Sequence, residues 1–398
     1  MRTAIVLFTR DLRIHDNPAL AAACANAERV VPLFVFDPAL AGRSPNRDRF
    51  LHQSVADLRR VLRDRDSDLV VRAGDPVTET IRLAGEVGAE GIAAAADVSR
   101  YARRREARLC AEGERHGLSV RLFPGLTIVE PGMLKPGGGD HYRVFSPYHR
   151  AWTAAKWRDQ VALPKKTPLP AGVTVGQLPA EPAGESPDAA PGGETAARQR
   201  LRDWLGDVET YDDGHNDLAG DRTSRLSPYL RFGCVSPLEL AHAALGRPNS
   251  DPFVRQVCWR DFYYQVAYAF PEIARKAYRR GATESWTGDD DAFRRWAEGR
   301  TGVPIVDAGM RQLRREGWMH NRARLVTASY LTKDLGVDWR RGLGEFSRWL
   351  LDGDLPNNSG NWQWVAGTGN DTRPYRKFNP ERQRERYDPD GSYVERYA

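Results

Sequence analysis

The apolar positions of the first third of the chain fall in short continuous runs, not in strict alternation with polar ones. Residues 4–8, 30–36, 69–72, 91–95 and 120–123 are such runs, rich in Val, Ile, Leu, Ala and Phe. A run of this length, bounded by turn residues, predicts a strand buried on both faces. Between the runs, Asp16-Asn17-Pro18 and Asp75-Pro76 pair a capping side chain with a proline at the first helical position, which marks a helix start. Strands alternating with helices predict a doubly wound parallel α/β sheet over residues 1–130. No G-x-G-x-x-G follows the first strand, so the usual dinucleotide fingerprint is missing and the pattern names no ligand for this unit.

The pattern then changes. Residues 163–193 are rich in Pro, Gly and Ala and poor in large apolar side chains, as expected of a chain running over a surface. The whole of 131–193 is read as an interdomain connection, with Gly137-Gly138-Gly139 in a loop. From residue 194 onward a helical period dominates, as in 195–205, 252–270, 305–315 and 321–335. The expected architecture is therefore an α/β unit followed by an all-helical one over 194–398. No repeat of solenoid period interrupts it.

Composition narrows the function classes. At 398 residues two domains are expected. The 59 Lys+Arg against 53 Asp+Glu give a net charge of +6, compatible with a polyanion partner without requiring one. Cys24, Cys110, Cys234 and Cys258 are scattered, which argues against a zinc site or a disulfide framework and fits a reducing cytoplasm. The N-terminus reaches Arg10 and Asp11 after one short apolar run, so it reads as a strand and not as a signal peptide. No apolar span approaches the ~20 residues of a membrane helix.

Candidate chemistry lies in the last third, where eight of the eleven tryptophans fall between Trp259 and Trp364 among arginines, asparagines and aspartates. Such a mixture suits a planar ligand. In the helix over 254–267, Gln256, Trp259, Arg260 and Tyr263 share one face, presenting an amide, an indole, a guanidinium and a phenol. The same spacing also describes an ordinary amphipathic helix with a core Trp and a solvated Arg. Asp352-Gly353-Asp354 puts two carboxylates on a glycine turn, suited to ribose hydroxyls or to an arginine, or simply capping a helix. With no His or third carboxylate near in sequence, a metal is not expected there. Thr223-Ser224-Arg225-Leu226-Ser227 before Pro228 is either an anion site at a helix start or a hydroxyl N-cap. No G-x-S-x-G, H-E-x-x-H or Walker glycine loop is present, which sets hydrolytic and phosphoryl-transfer mechanisms aside. His320 is read as structural or ligand-contacting.

Together these segments resemble the photolyase/cryptochrome flavoproteins. The resemblance runs from Arg10-Asp11-Leu12-Arg13 with Asp16-Asn17 to Phe378-Asn379-Pro380. It is carried by Thr223-Ser224-Arg225-Leu226-Ser227-Pro228-Tyr229-Leu230, Trp259-Arg260-Asp261-Phe262-Tyr263, residues 301–311, Gly317-Trp318-Met319-His320-Asn321-Arg322 and Asn361-Trp362-Gln363-Trp364. It implies an FAD in the helical unit. Tyr211, Thr223, Ser224, Arg225, Leu226 and Ser227 match phosphate and ribose contacts, while Phe253, Arg260, Asp352, Gly353 and Asp354 match residues lining the cofactor. Arg324 is expected to pair with Asp352, and Asn358 to face the redox-active flavin nitrogen. Trp362, Trp339 and Trp286 match a three-tryptophan electron chain. Trp259 and Trp364 match the aromatics that cradle a flipped-out lesion, and Asn321 and Arg322 match lesion and phosphate contacts. The activity implied is light-driven splitting of cyclobutane pyrimidine dimers in UV-damaged DNA, by an electron from excited reduced FAD. The alternative is a cryptochrome-like blue-light receptor with the same cofactor and little or no repair.

Several positions depart from that pattern. Gln256 stands where dimer-repairing relatives carry a glutamate. Leu325 replaces a methionine, and the histidines of (6-4) enzymes are absent at Asn321 and Leu325. His215 replaces an arginine that contacts DNA phosphate, which should flatten the salt dependence of binding. Arg104 and Arg105 stand where a folate antenna is held by Asn and Glu, so a deazaflavin antenna, or none, is expected in place of folate. The chain ends at Ala398, earlier than the pattern, and reduced stability or flavin retention is expected. A monomer is expected.

Overall fold

The computed structural model describes residues 1–164, 169–370, 372, 373 and 375–398. Five strands, β1 (Thr3–Phe8), β2 (Arg29–Phe36), β3 (Val70–Ala73), β4 (Gly91–Ala95) and β5 (Ser119–Phe123), form one sheet in the order β3-β2-β1-β4-β5. Every neighbouring pair is parallel, with Thr3 opposite Arg29, Ala4 opposite Gly91, Leu33 opposite Val70 and Gly91 opposite Ser119. Both faces are covered. Ala4, Val6, Phe8, Phe34 and Val71 enter one core with Leu20, Phe50 and Leu58, from helices α1 (Pro18–Asn26) and α2 (Pro45–Arg63). Ile5, Leu7, Leu33 and Val70 enter another with Val77, Leu83 and Leu109, from α3 (Pro76–Val87) and α4 (Arg100–Arg115). Burial on both faces is why β1, β2 and β4 are continuous apolar runs in sequence; β5, read from sequence as a buried strand, is instead an edge strand with Arg121 in its middle and no fully buried residue. The expected caps form: the Asn17 side chain accepts from Leu20 N at 3.0 Å and Asp75 from Thr78 N at 2.9 Å.

Between Ala154 and Glu194 the described chain has no helix or strand, but the stretch read as a connection holds one helix, α5 (Phe145–Ala154). It is moored to the helical region: Trp152 Nε1 donates to Asp261 at 3.0 Å, and just before the helix Tyr142 N donates to Gln265 at 3.0 Å. Farther on, the chain crosses β3 and α2, where Val71 N donates to Val175 O at 2.7 Å and Asn46 Oδ1 accepts from Glu185 N and Ser186 N.

The helical region comprises α6 (Glu194–Asp207), α7 (Tyr211–Gly214), α8 (Ser227–Phe232), α9 (Pro237–Leu245), α10 (Asp251–Ala269), α11 (Asp290–Ala297), α12 (Pro304–Glu316), α13 (Asn321–Ser329), α14 (Trp339–Trp349), α15 (Leu355–Ala366), α16 (Pro380–Tyr387) and α17 (Ser392–Arg396). The helix expected over 321–335 is not uniform, since after Ser329 it widens into a π-turn at Tyr330–Asp334, where Lys333 Nζ donates to Ala366 O at 2.7 Å. At the start of α8 the cap residue is Leu226 with no side-chain cap bond, which removes the reading of 223–227 as a hydroxyl N-cap.

The turn after β1 is wedged into the helical region. Arg10 Nε donates to Arg231 O at 3.0 Å, Leu12 N to Phe232 O at 3.2 Å, and Arg13 Nη1 to Gly233 O at 3.0 Å. Ile14 N and His15 N donate to the Glu194 carboxylate at 2.8 and 3.1 Å. Gly233 sits at φ +68°, and a Cβ there would collide with the Arg10 carbonyl, so this approach requires glycine. No described helix is long and apolar enough to cross a membrane.

Candidate functional site

Helix α10 supplies the first wall. Along its face Gln256 is exposed, Trp259 half-buried, and Arg260 and Tyr263 buried, so the face runs from solvent into the interior. Gln256 Nε2 reaches only the Pro252 carbonyl, at 3.4 Å. Arg260 is not solvated: its guanidinium donates to Leu126 O at 2.5 Å and to Tyr264 OH at 3.2 Å. Tyr264 OH also accepts from Arg10 Nη2 at 2.8 Å, so one phenol joins a strand-end arginine to an arginine of the candidate site. Burial alone would lower the Arg10 pKa, but Tyr264, Asp97 and Asp354 outweigh it and hold it above its ordinary value. Arg10 is 3.1 Å from Asp97 and 3.7 Å from Asp354.

The second wall is polar. Arg324 meets Asp352 through Nη1 and Nη2 at 3.0 and 2.8 Å. Ser227 Oγ donates to the same carboxylate at 2.5 Å and accepts from Trp318 Nε1 at 3.3 Å. A Cβ on Gly353 would stand 2.7 Å from Arg47 Nη1 and 3.1 Å from the Leu350 carbonyl, so a side chain there would displace the Arg47 guanidinium. Asp354 is buried and its Oδ1 has no hydrogen-bond partner among the described residues. The Thr223 and Ser224 carbonyls are held by Arg200 at 2.9 and 2.7 Å. Arg225, at φ +49°, pairs with Asp221 at 2.5 Å and Glu316 at 2.7 Å, and lies over the Trp318 ring at 4.2 Å. No group of three or more metal-ligating side chains occurs among the described residues.

Helix α15 crosses α10 closely, since a Cβ on Gly360 would strike the Tyr263 ring. It brings Asn358, Trp362 and Trp364 to the same region. Asn358 Nδ2 donates to Ser347 Oγ at 3.0 Å. Trp362 is buried, edge-on to Phe346 at 4.9 Å, and packed on Gly342 of α14. Trp339, fully buried, opens α14. The neighbouring strand-like bridge Thr287–Val337 holds the Trp286 segment beside it. All three indole N–H groups are buried without an acceptor among the described residues.

Toward the surface, Tyr211 stacks on His215 at 5.0 Å and meets Phe253 edge-on at 5.5 Å. Arg322 donates through Nε and Nη2 to Asn216 Oδ1, at 3.2 and 2.5 Å, and Asn216 Nδ2 lies 2.9 Å from His215 Nε2. Trp364 lies 4.8 Å from the Arg376 guanidinium. Asn321 is exposed and Leu325 half-buried. His320 caps α13, its Nδ1 accepting from Arg322 N at 3.1 Å, while its buried Nε2 has no partner among the described residues. Burial first, then Arg322, Arg324 and Arg225, push its pKa down to about 4, so it is neutral at physiological pH.

Sequence reasoning passed over Trp318, Arg10 and Tyr264. Trp318 stood inside the Gly317-Trp318-Met319-His320 motif and could have been found there; the partnership of Arg10 and Tyr264 is purely tertiary.

A family model described as DNA photolyase matches residues 4–171, and one described as the FAD binding domain of DNA photolyase matches residues 253–398. The chain is 48% identical over 404 residues to a deoxyribodipyrimidine photo-lyase of Streptomyces griseus, covering 99% of this chain and 89% of that protein. It superposes on a bacterial class III photolyase from Agrobacterium tumefaciens with a TM-score of 0.93 at 34% identity, covering 100% of this chain and 86% of the other. An archaeal photolyase from Sulfolobus tokodaii with two FAD molecules gives 0.90 at 30% identity, covering 100% and 90%.

Proposed function

The chain belongs to the photolyase/cryptochrome family, and on that premise we propose that it is a light-driven deoxyribodipyrimidine photolyase. The observation that carries the reading is near-half identity, over almost the whole chain, to a relative bearing that name. We read 1–130 as the antenna unit, 131–193 as the connection and 194–398 as the catalytic unit, in a cytoplasmic monomer.

The protein takes FAD. The residues fit it: a buried Asp354 Oδ1 that accepts no hydrogen bond and has Arg10 at 3.7 Å, a buried donor at His320 Nε2 without a hydrogen bond among the described residues, and an Arg324–Asp352–Ser227 network are groups a ribityl and pyrophosphate chain would complete. We assign Tyr211, Thr223 to Ser227, Phe253, Arg260, Arg324, Asp352, Gly353, Asp354 and Asn358 to holding it. Bound and reduced, FAD supplies a light-excited electron donor for splitting the dimer. An antenna of the deazaflavin type is favoured over folate by Arg104 and Arg105.

The remaining roles belong to side chains. Trp259 and Trp364 offer aromatic surfaces to a lesion drawn out of the duplex, a stacking that is worth about 1–3 kcal/mol per base. Arg322 meets backbone phosphate, with His215 beside it at the DNA-facing mouth through Asn216. Gln256, exposed at the mouth, can donate to and accept from a pyrimidine edge without sharing a proton. Trp362, Trp339 and Trp286 pass electrons inward from the surface.

The test is illumination of the reduced, FAD-loaded protein with dimer-containing single-stranded DNA, following recovery of thymine absorbance. Recovery is expected. Intact flavin photoreduction without recovery would instead support the second reading, a blue-light receptor, which the glutamine at position 256 favours.

A further inference from the structure

Trp259 does not stand alone at the mouth of the site. Phe145, the first residue of α5, lies flat against it, with ring centroids 3.7 Å apart and planes 4° apart. Near-parallel overlap at this distance is not what two rings choose, because their quadrupoles prefer offset or edge-to-face packing. The surroundings impose it. Phe262 meets Phe145 edge-on at 5.8 Å and Trp259 edge-on at 5.5 Å. The Arg255 guanidinium lies 5.1 Å from the Phe145 centroid, where a cation withdraws electron density and relieves repulsion between the two stacked faces. Helix α5 cannot swing away, because Gln265 is bonded both to Tyr142 N (3.0 Å) and to Tyr142 O (2.7 Å), and Trp152 is bonded to Asp261 (3.0 Å).

We propose that Phe145 is a positioning residue for the lesion: it fixes the plane of Trp259 and occupies one indole face, leaving a one-sided platform. This rests on the reading of Trp259 as a lesion-stacking residue. The sequence consequence is that the helix in the connecting segment, not the catalytic helices alone, sets which face of the indole meets the substrate. A flat, flipped-out pyrimidine pair then stacks from one direction only, and the indole spends no orientational freedom in receiving it.

The experiment measures dark binding of FAD-loaded protein to an oligonucleotide with a single dimer and to its undamaged counterpart, for wild type, Phe145→Ala, Phe145→Leu, Phe145→Tyr and Trp259→Ala. Phe145→Ala should weaken lesion binding about tenfold and leave undamaged binding, flavin content and flavin photoreduction unchanged; Phe145→Tyr, which keeps the flat ring, should restore lesion affinity. If the alanine variant loses flavin, Phe145→Leu, which keeps apolar volume without a flat face, carries the same expectation. Unchanged lesion binding in the leucine or alanine variant, with Trp259→Ala defective, overturns the role of Phe145 and leaves the lesion pocket standing. Unchanged binding in Trp259→Ala as well overturns both.

Discussion

Arg324 grips Asp352 at two points, 3.0 and 2.8 Å, on a carboxylate that also accepts from Ser227. The Asp352 side chain is 5% exposed and that of Arg324 24%, so either left alone keeps a poorly solvated charge. Breaking such a pair costs about 3 kcal/mol or somewhat less for the exposed part. Arg324→Ala should therefore lower FAD affinity by at least tenfold, and Asp352→Asn, which keeps an acceptor for Ser227, should lower it less. Flavin titration of the apoprotein measures both.

Trp362→Phe should block photoreduction of oxidised flavin and leave repair by chemically reduced protein nearly intact. Loss of both together would refute the assigned roles. Gly342→Ala gives an independent handle, since its Cβ would strike the Trp362 ring. Overpacking of this kind costs about 1–3 kcal/mol, so this variant should melt earlier and photoreduce more slowly, read by transient absorption.

Gln256→Glu should raise dimer repair several-fold. The side chain is exposed and makes one long bond to Pro252, so substitution should leave the melting temperature unchanged. Equal turnover in steady-state assays would show that the lesion does not meet this position.

His320 predicts an acid limb of stability. Its folded pKa, about 4, lies below the ordinary 6.5. Between these values the unfolded chain takes up a proton that the native apoprotein refuses, so stability is fully present above pH 6.5 and falls as pH drops toward 4, by at most about 1.4 kcal/mol per pH unit. His320→Asn retains an acceptor for the Arg322 N–H and should flatten this limb in denaturant titrations across pH.

The inner strands β1, β2 and β4 could be read from sequence almost to the residue, because burial on both faces writes an unbroken apolar run, whereas β5 could be placed but its exposure at the sheet edge could not. The caps at Asn17 and Asp75 could be read because they are local. Helix α5 could not: Phe145, Tyr148 and Trp152 are its only buried large side chains, and no side chain caps its start. The polar site was visible only in pieces. Periodicity placed Arg260 on a face with Trp259 but suggested a solvated guanidinium as readily as a buried one, and only the fold brings Leu126 and Tyr264 to it. The Asp352-Gly353-Asp354 turn announced carboxylates, while Arg324 came to it through resemblance to a family, not through spacing.

The turn after β1 sends Arg10, Leu12 and Arg13 into three consecutive carbonyls at 231–233, with Glu194 receiving the backbone that follows. Such a joint limits what recombination can exchange. An α/β unit transplanted from a relative would bring its own turn to a foreign seat, and any mismatch at Gly233 would be a backbone collision that side chains cannot absorb. The seam between the units would then be inherited as one piece, with 10–15, 194 and 231–233 travelling together even where the surfaces on either side drift apart.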